Sequence, residues 1–173
     1  MRKVLFFNLV IVLFFALPAL AKDLKIGVVD VQGVMEKSEP GEAALSKLKA
    51  SFDEMKAELD RRKEDVDKLR QEIQKQSLVL SQEAQIDKET EYKQKVRDFR
   101  GLQQSYQKKM QVKEEKLTKP ILEELKKVID DFGQDEDYTL ILNKQNSGVI
   151  FQDSSVDITD RIVRELNRTW SKK

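Results

Sequence analysis

Residues 41–80 read GEAALSKLKASFDEMKAELDRRKEDVDKLRQEIQKQSLVL, and they decide the fold. Their apolar residues recur with gaps of three and four that add to seven, which is the spacing of a coiled-coil seam. One register is apolar at every step, at Leu45, Phe52, Leu59, Val66, Ile73 and Leu80. The other register holds Leu48, Met55 and Leu69 but places Arg62 and Gln76 in line. The pattern therefore predicts a long amphipathic helix whose seam becomes more polar toward its far end.

A second helix of the same kind is predicted to return along the first. Three consecutive aliphatic residues break the seam within residues 77–81, and Ser81 is a suitable N-cap for a new helix. We therefore place the chain reversal at a tip near residues 77–86, where four apolar residues should gather: Leu78, Val79, Leu80 and Ile86. The returning helix repeats the spacing at Tyr92, Val96, Phe99, Leu102, Tyr106, Met110, Leu117, Ile121, Leu125, Val128 and Phe132. Residues 39–132 are thus predicted to form an antiparallel helical hairpin, which we call the arm.

The returning helix also carries a proline and a segregated charge pattern. Pro120 lacks the amide hydrogen that a helix interior uses, so we expect a bend there and predict that it is the hinge of the arm. Residues 95–119 contain eight basic and three acidic residues, a net charge of +5, whereas residues 120–140 contain two basic and seven acidic residues, a net charge of −5. The basic shaft is therefore a candidate contact surface, with Arg97, Arg100, Lys108 and Lys109, and so is the aliphatic tip.

The segments on either side of the arm are predicted to form a small β-rich body, residues 22–38 and 133–173. Residues 24–31 are compact and β-branched, which predicts a strand, and Asp30 can cap a short helix after it. Residues 138–142 and 149–151 flank a turn-rich loop and predict a β-hairpin, after which Asp157 begins a last helix. The fold class is therefore α+β, with a small sheet at the base of the arm.

A three-stranded sheet with one helix is too small to bury both of its faces well. One interpretation is a weakly stable monomeric base. The favoured interpretation is that several bases associate and close a shared core. The residues predicted to form this oligomerisation body are Ile26, Val28, Val29, Leu140, Leu142, Val149 and Phe151.

The first 21 residues have the layout of a secretory signal peptide. Arg2 and Lys3 precede an apolar run over residues 4–15, and small residues follow up to Ala21. The run is shorter than the about 20 residues that span a bilayer, so cleavage after Ala21 is favoured over a retained anchor. The mature chain is then expected outside the cytoplasm. Loss of Arg2 and Lys3 from the 32 basic residues leaves 30 against 31 acidic residues, so its net charge is close to zero.

Several functions are disfavoured by the composition. The sequence has no cysteine and no histidine, which removes thiolate chemistry, the commonest general base and the commonest transition-metal ligand. An acidic cluster within residues 130–137 lacks the alternating spacing and central glycine of a calcium loop. The compartment and the balanced charge argue against nucleic acid as a partner. We therefore predict neither enzyme activity nor a cofactor nor a metal site.

Four pieces of the mature chain together resemble the Skp (OmpH-like) family of periplasmic chaperones. They are the strand KIGVVDVQ at residues 25–32, the helix start at Pro40 and Gly41, the tip at Leu80 and Ser81, and the closing segment with LIL at 140–142 and DIT at 157–159. The resemblance covers nearly all of the mature chain. It implies a jellyfish-shaped homotrimer in which a β-barrel-like body carries three helical tentacles around a cavity. It also implies that unfolded outer-membrane β-barrel proteins are held in the periplasm without ATP.

Two functions from different classes follow. The first is a trimeric holdase whose partners are unfolded outer-membrane proteins. Weak contact with a membrane surface is compatible with this function. The alternative is a structural envelope protein whose hairpin is a coiled-coil spacer or adaptor docking on one folded partner. A pull-down that recovers one stoichiometric folded partner, rather than many unfolded ones, would favour the alternative.

Overall fold

The computed structural model describes residues 24–77 and 79–172. Its elements are, in order, β1 (Ile26–Val29), α1 (Val31–Lys37), α2 (Glu39–Gln76), α3 (Gln82–Asp135), β2 (Leu140–Asn143), a 3-10 turn (Ser154–Val156) and α4 (Thr159–Trp170). The chain is mostly helical with long helices and a small two-stranded sheet, which agrees with the predicted α+β class. The predicted signal peptide, residues 1–21, and the predicted tip residue Leu78 lie outside the described residues.

The arm consists of α2 and α3, which run antiparallel. The 38 residues of α2 correspond to about 57 Å at a rise of about 1.5 Å per residue. Close to the tip, Lys88 Nζ lies 3.4 Å from Glu72 Oε2, and nearer the base Lys113 donates a hydrogen bond to Ser51. The helix α3 continues through Pro120 without interruption. The role of Pro120 as a hinge stays a prediction.

Polar side chains cap the first three helices, and the caps at Asp30 and Ser81 are those predicted above from the sequence. Asp30 Oδ1 accepts from the Gly33 N–H at 2.8 Å, and Ser81 Oγ accepts from the Ala84 N–H at 3.3 Å. Ser38 serves both neighbouring helices: its N–H donates to the Val34 carbonyl at 2.9 Å and its Oγ accepts from the Gly41 N–H at 3.3 Å. Because α1 and α2 are joined through this one fully buried residue, the direction in which the arm leaves the base is tightly constrained.

The sheet joins a segment before the arm to a segment after it. β1 and β2 are parallel, with Ile26 opposite Leu140 and Val29 opposite Asn143. Parallel strands need a crossover connection, and here the crossover includes the entire arm. The arm is therefore an insertion between two strands that pair only because the arm returns the chain to the base.

The predicted β-hairpin is wrong in its second strand. Residues 148–153 form neither strand nor helix, Val149 is half-buried, and Ile150 and Phe151 are exposed. The reason is that the second edge of β1 is taken by the residues before α4. The Ile158 N–H donates to the Val28 carbonyl at 2.9 Å, and Thr159 Oγ1 accepts from the Asp30 N–H at 2.9 Å. In the described chain the sheet therefore has two strands rather than three.

The core lies where the base ends of both arm helices meet α4 and β1. Its buried residues are Val29, Val34, Ala44, Ile121, Leu125, Val128, Phe132, Ile158, Ile162 and Leu166. Ile162 and Leu166 are completely buried, as their four-residue spacing on an amphipathic helix predicts. The lower turns of the arm and the sheet thus share one hydrophobic core.

Two of the seven residues predicted to form the oligomerisation body are buried within the single chain. Val28 is 4% exposed and Val29 is 2% exposed. Val29 belongs to the core, and Val28 lies on a strand that the 3-10 turn contacts. Among the other predicted body residues, Leu140 and Phe151 are exposed, and Ile26, Leu142 and Val149 are half-buried. The part that the seven residues take in assembly stays a prediction.

The predicted seam holds in the outer part of α2 but not beside the base. Val66 and Ile73 are half-buried between the helices, whereas Leu45 and Phe52 are exposed. Beside the base, the small residues Ala44 and Ser51 are buried in their place. Small side chains let two helices approach closely, so the larger residues at the next position are left at the edge of the contact.

Candidate functional site

An open groove lies between α2 and α3 in the middle of the arm. Its volume is about 730 Å³, and its apolar lining consists of Phe52, Met55, Leu59, Phe99, Tyr106 and Met110. Phe52 is 54% exposed, so much of its ring is available to a bound molecule. Polar residues complete the lining: Lys56, Asp60, Lys63, Gln103, Gln104 and Gln107. We call this surface the arm groove.

The segment of α3 beside the arm groove is positively charged, although the α3 residues that line the groove are uncharged. Residues 99–110 include Arg100, Lys108 and Lys109 and no acidic residue. Lys109 Nζ lies 5.4 Å from the centre of the Tyr106 ring, which is a cation–π distance. The charged residues that line the groove all lie on α2: Lys56 Nζ pairs with Asp60 Oδ2 at 2.6 Å, and among the described residues Lys63 has no carboxylate within ion-pair distance. The arm groove therefore combines an apolar floor with one unpaired lining cation, Lys63, beside a basic segment of α3.

A second cavity, of about 380 Å³, shares Phe99 with the arm groove. Its charged lining residues are Arg62, Asp65, Lys95 and Asp98. Two basic and two acidic side chains leave it without a net charge. It therefore gives no preference for an acidic over a basic ligand, in contrast to the arm groove.

The tip exposes aliphatic side chains. Val79 is 82% exposed and Ile86 is 57% exposed, whereas Leu80 is half-buried. The Val79 and Leu80 N–H groups both donate to the Gln76 carbonyl, at 3.0 and 3.1 Å, which closes the turn tightly. Because about 17 residues of helix separate Gln76 from Leu59, the tip lies roughly 25 Å from the arm groove. The tip and the groove are therefore separate surfaces.

The four basic residues predicted to contact a partner all lie on the surface of α3. Arg97, Arg100, Lys108 and Lys109 are exposed, and Arg97 donates a hydrogen bond to Gln94. Lys109 is brought to Tyr106 of the arm groove, whereas the predicted aliphatic residues stay at the far end of the arm. The structure thus divides the predicted contact set into a shaft group and a tip group.

The acidic cluster at the base end of α3 faces arginine residues of α4. Asp131, Asp135 and Glu136 line a cleft of about 240 Å³ together with Arg161, Arg164 and Arg168. Within residues 24–77 and 79–172, no three acidic residues are grouped so that they could hold a metal ion. Of these three acidic residues, Glu136 forms an ion pair with α4, through Arg161. Separately, none of the described helices combines the length and the apolar character that crossing a membrane requires.

Glu136 links three segments of the base. Its carboxylate lies 2.8 Å from Arg161 Nη2 and 3.4 Å from Lys25 Nζ, and Lys25 also donates to the Glu136 carbonyl at 2.5 Å. Arg161 donates to the Tyr138 hydroxyl at 3.3 Å, and the Tyr138 ring stacks on Phe132 with centroids 5.7 Å apart. The hydrogen bonds from Arg161 and Lys25 hold the pKa of Glu136 below its ordinary value. This network ties the residues before β1 to the end of α3 and to α4.

The Glu136→Gln variant is expected to be less stable than the wild type near pH 7, and the difference is expected to shrink as the pH falls below 4.5. A carboxylate with a lowered folded-state pKa stabilises the fold above its unfolded-state pKa, and this stabilisation is lost as the pH falls through the folded-state pKa. The loss therefore occurs below 4.5, the ordinary glutamate value. Urea unfolding of both proteins near pH 7 and below pH 4.5 measures the difference. Glu123→Gln, at an exposed position of the same helix, is the control, and a difference that persists unchanged in acid contradicts the assignment.

Neither the arm groove nor Ile150 was identified from the sequence. All six apolar groove residues were assigned to a closed seam, and Ile150 was placed inside a strand and not among the contact residues. A signal for the groove was present: Ala44 and Ser51 are seven residues apart and each precedes a larger apolar residue. A pair of small residues in this spacing indicates that the neighbouring stripe of Leu45 and Phe52 is displaced from the helix contact.

The fold and its surfaces define a class of protein in which a small α+β base carries a long two-helix arm with open contact surfaces. The sequence model of the family described as "Outer membrane protein (OmpH-like)" matches residues 25–166, and the chain therefore belongs to the OmpH-like family. This confirms the resemblance inferred from the sequence.

One solved structure extends the comparison. It is a protein of Caulobacter crescentus CB15 named as a candidate outer membrane chaperone (OmpH-like), and it matches with a TM-score of 0.70 at 20% sequence identity. The match covers 84% of this chain and 85% of that chain. At this identity the likeness establishes a shared fold. No curated protein matches the sequence.

Proposed function

We propose that the protein is an ATP-independent holdase that binds unfolded outer-membrane β-barrel proteins in the periplasm and prevents their aggregation. The observation that carries the proposal is the arm, which exposes apolar side chains from its lower part to its tip: Phe52, Ile86 and Val79. An unfolded chain presents no fixed shape, so it is held by many weak contacts rather than by one enclosed pocket. Membership of the OmpH-like family supports the same function.

The charge of the shaft gives the arm a preference among clients. Residues 95–119 carry a net charge of +5, and the Debye length at physiological ionic strength is about 8 Å. Acidic segments are therefore attracted once they come near the shaft, and salt weakens the attraction. In this proposal clients contact the tip through Leu78, Val79, Leu80 and Ile86, and the shaft through Arg97, Arg100, Lys108 and Lys109.

The proposed assembly is a homotrimer in which three bases form the body and three arms enclose a cavity. Apolar residues exposed on the base support association: Leu24, Leu140, Ile150 and Phe151. Among the described residues β2 pairs only with β1, so its outer edge offers unpaired backbone groups to another chain. Three copies arranged around one axis would cover both features.

The proposal includes secretion and a movable arm. Cleavage of the signal peptide after Ala21 would release the mature chain into the periplasm. Pro120 lies directly before Ile121, which is the first of four core residues of α3. A bend at Pro120 would therefore move the arm while the part of α3 that follows stays packed in the base.

Dilution of a chemically unfolded outer-membrane β-barrel protein tests the holdase function. The mature protein, in slight molar excess as a trimer and without nucleotide, is expected to keep light scattering near the buffer baseline. Added ATP should change nothing. Scattering that rises as fast with the protein as without it contradicts the proposal. Recovery of a single folded partner at fixed stoichiometry from cross-linked cells would instead favour the spacer or adaptor.

A further inference from the structure

We propose that the arm groove is a recognition site for short extended segments in which aromatic residues are flanked by acidic residues. The inference rests on the proposed holdase function and specifies the class of client segment. It concerns a groove within a single arm, between α2 and α3, so it does not depend on how copies of the chain assemble.

The size and flexibility of the groove suit side chains of this kind. Its volume of about 730 Å³ lies within the range of about 300–1,000 Å³ that ligand sites occupy. Met55 and Met110 line it together with three aromatic rings, those of Phe52, Phe99 and Tyr106. Methionine side chains adapt to irregular shapes and make favourable contacts with aromatic rings. The floor can therefore accept large apolar residues without requiring one particular sequence.

The polar lining can hold a backbone in an extended conformation. Gln103, Gln104 and Gln107 follow one another along the α3 wall. Each side-chain amide offers donors and an acceptor, which are the groups that an unpaired peptide backbone needs. Such contacts are independent of the client side chains, so selectivity must come from the floor and from charge.

The charge of the groove selects acidic flanks. In the described chain, neither Arg100 nor Lys108 has a carboxylate within ion-pair distance, and Lys109 lies against the Tyr106 ring. Nearby acidic groups are already occupied, since Asp60 pairs with Lys56 and Glu58 with Arg62 at 2.9 Å. Lys63, which lines the groove, also has no carboxylate of the described residues within ion-pair distance, so it is available to a carboxylate of a bound segment. The cations of residues 99–110 lie on the adjoining surface of α3 and add to the attraction. The neighbouring cavity, with two basic and two acidic residues, has no such bias.

Peptide binding to the full mature chain tests the inference. The probes are three heptapeptides with an uncharged dye: two aromatic residues flanked by aspartates, and the same peptide with serines or with lysines in place of the aspartates. In fluorescence anisotropy at low salt, the aspartate peptide is expected to bind about tenfold more tightly than the lysine peptide. The difference should shrink at high salt. Equal affinity of all three peptides overturns the charge selection.

Two matched variants locate the site. Phe52→Ser is expected to weaken binding of the aspartate peptide about tenfold, whereas Val112→Ser should leave it unchanged. Phe52 and Val112 are 54% and 56% exposed, so both variants should fold, and only Phe52 lines the groove. Equal effects of the two variants overturn the assignment to the groove. If they are equal but the wild type still suppresses aggregation, the groove inference fails and the holdase stands. Selective peptide binding without suppression of aggregation would show that the groove inference stands and that the holdase function fails.

Discussion

Gly41→Ala is expected to destabilise the protein by about 3 kcal/mol or more, even though alanine is the better helix former. Gly41 lies in the first turn of α2, directly against the end of α1. A Cβ atom at this position would lie 1.8 Å from the Met35 carbonyl oxygen and 2.7 Å from the Met35 carbonyl carbon. These are backbone atoms, so no side-chain rotation relieves the overlap. Either α1 or α2 must shift.

A shift at this point affects both the core and the arm. Ser38, the only residue between α1 and α2, is fully buried and bonded to both helices. Moving α2 away from Met35 would therefore strain the Ser38 cap and change the direction in which the arm leaves the base. We expect Gly41→Ala to lower the stability of the base and also to reduce client binding per folded molecule.

Gly101→Ala is the matched control. Gly101 lies in the middle of α3, and apart from its chain neighbours and the local helix backbone no atom lies within 4 Å of the position that a Cβ would take. Alanine there should stabilise the arm by about 0.5–1 kcal/mol, because it removes the conformational freedom of glycine from a helix interior. Urea unfolding measures both variants. A shift of both in the same direction contradicts the contact assigned to Gly41.

The arm was predictable because its signals are local. Apolar spacing and the capping residues Ser38 and Ser81 depend only on neighbours within one or two helical turns. The same locality limits the prediction of the groove. Residues 44 and 51 lie about 100° around α2 from residues 45 and 52, and spacing alone does not decide which stripe faces α3. Helix separation decides it, and Ala44 and Ser51 permit the closer approach.

The base was harder to predict because strand pairing is a competition between distant segments. Residues 149–151 have strand propensity, yet the Ile158 N–H takes the Val28 carbonyl on the free edge of β1. Likewise, the acidic cluster was visible in the sequence, but its partner Arg161 lies 25 residues beyond Glu136 on another helix. Composition identified the charged cluster, and only the fold identified what neutralises it.

Phe151→Asp is expected to convert the proposed trimer into single chains at micromolar concentration. Phe151 is 86% exposed and the adjacent Ile150 is fully exposed, in a segment that pairs with no described strand. Burial of a side chain of this size stabilises an interface by about 1.5–3 kcal/mol, and a charge in its place must be desolvated as well. A loss of about 3 kcal/mol at each interface corresponds to a roughly 100-fold weaker association. In a trimer, each of the three interfaces would lose this association free energy.

Because Phe151 is exposed, a substitution there tests assembly without disturbing the fold of the single chain. A substitution at Val28 does not separate the two effects. Val28 is 4% exposed, so Val28→Asp would unfold the single chain and would say nothing about its interfaces. The Phe151→Asp variant should still show the thermal unfolding transition of a folded monomer. The Val112→Asp variant places the same charge on the arm and should have the same assembled mass as the wild type. Sedimentation of the three proteins, each checked by circular dichroism, measures the outcome. A wild type that is monomeric at micromolar concentration, or a Phe151→Asp variant with the wild-type mass, would show that bases do not associate through this segment.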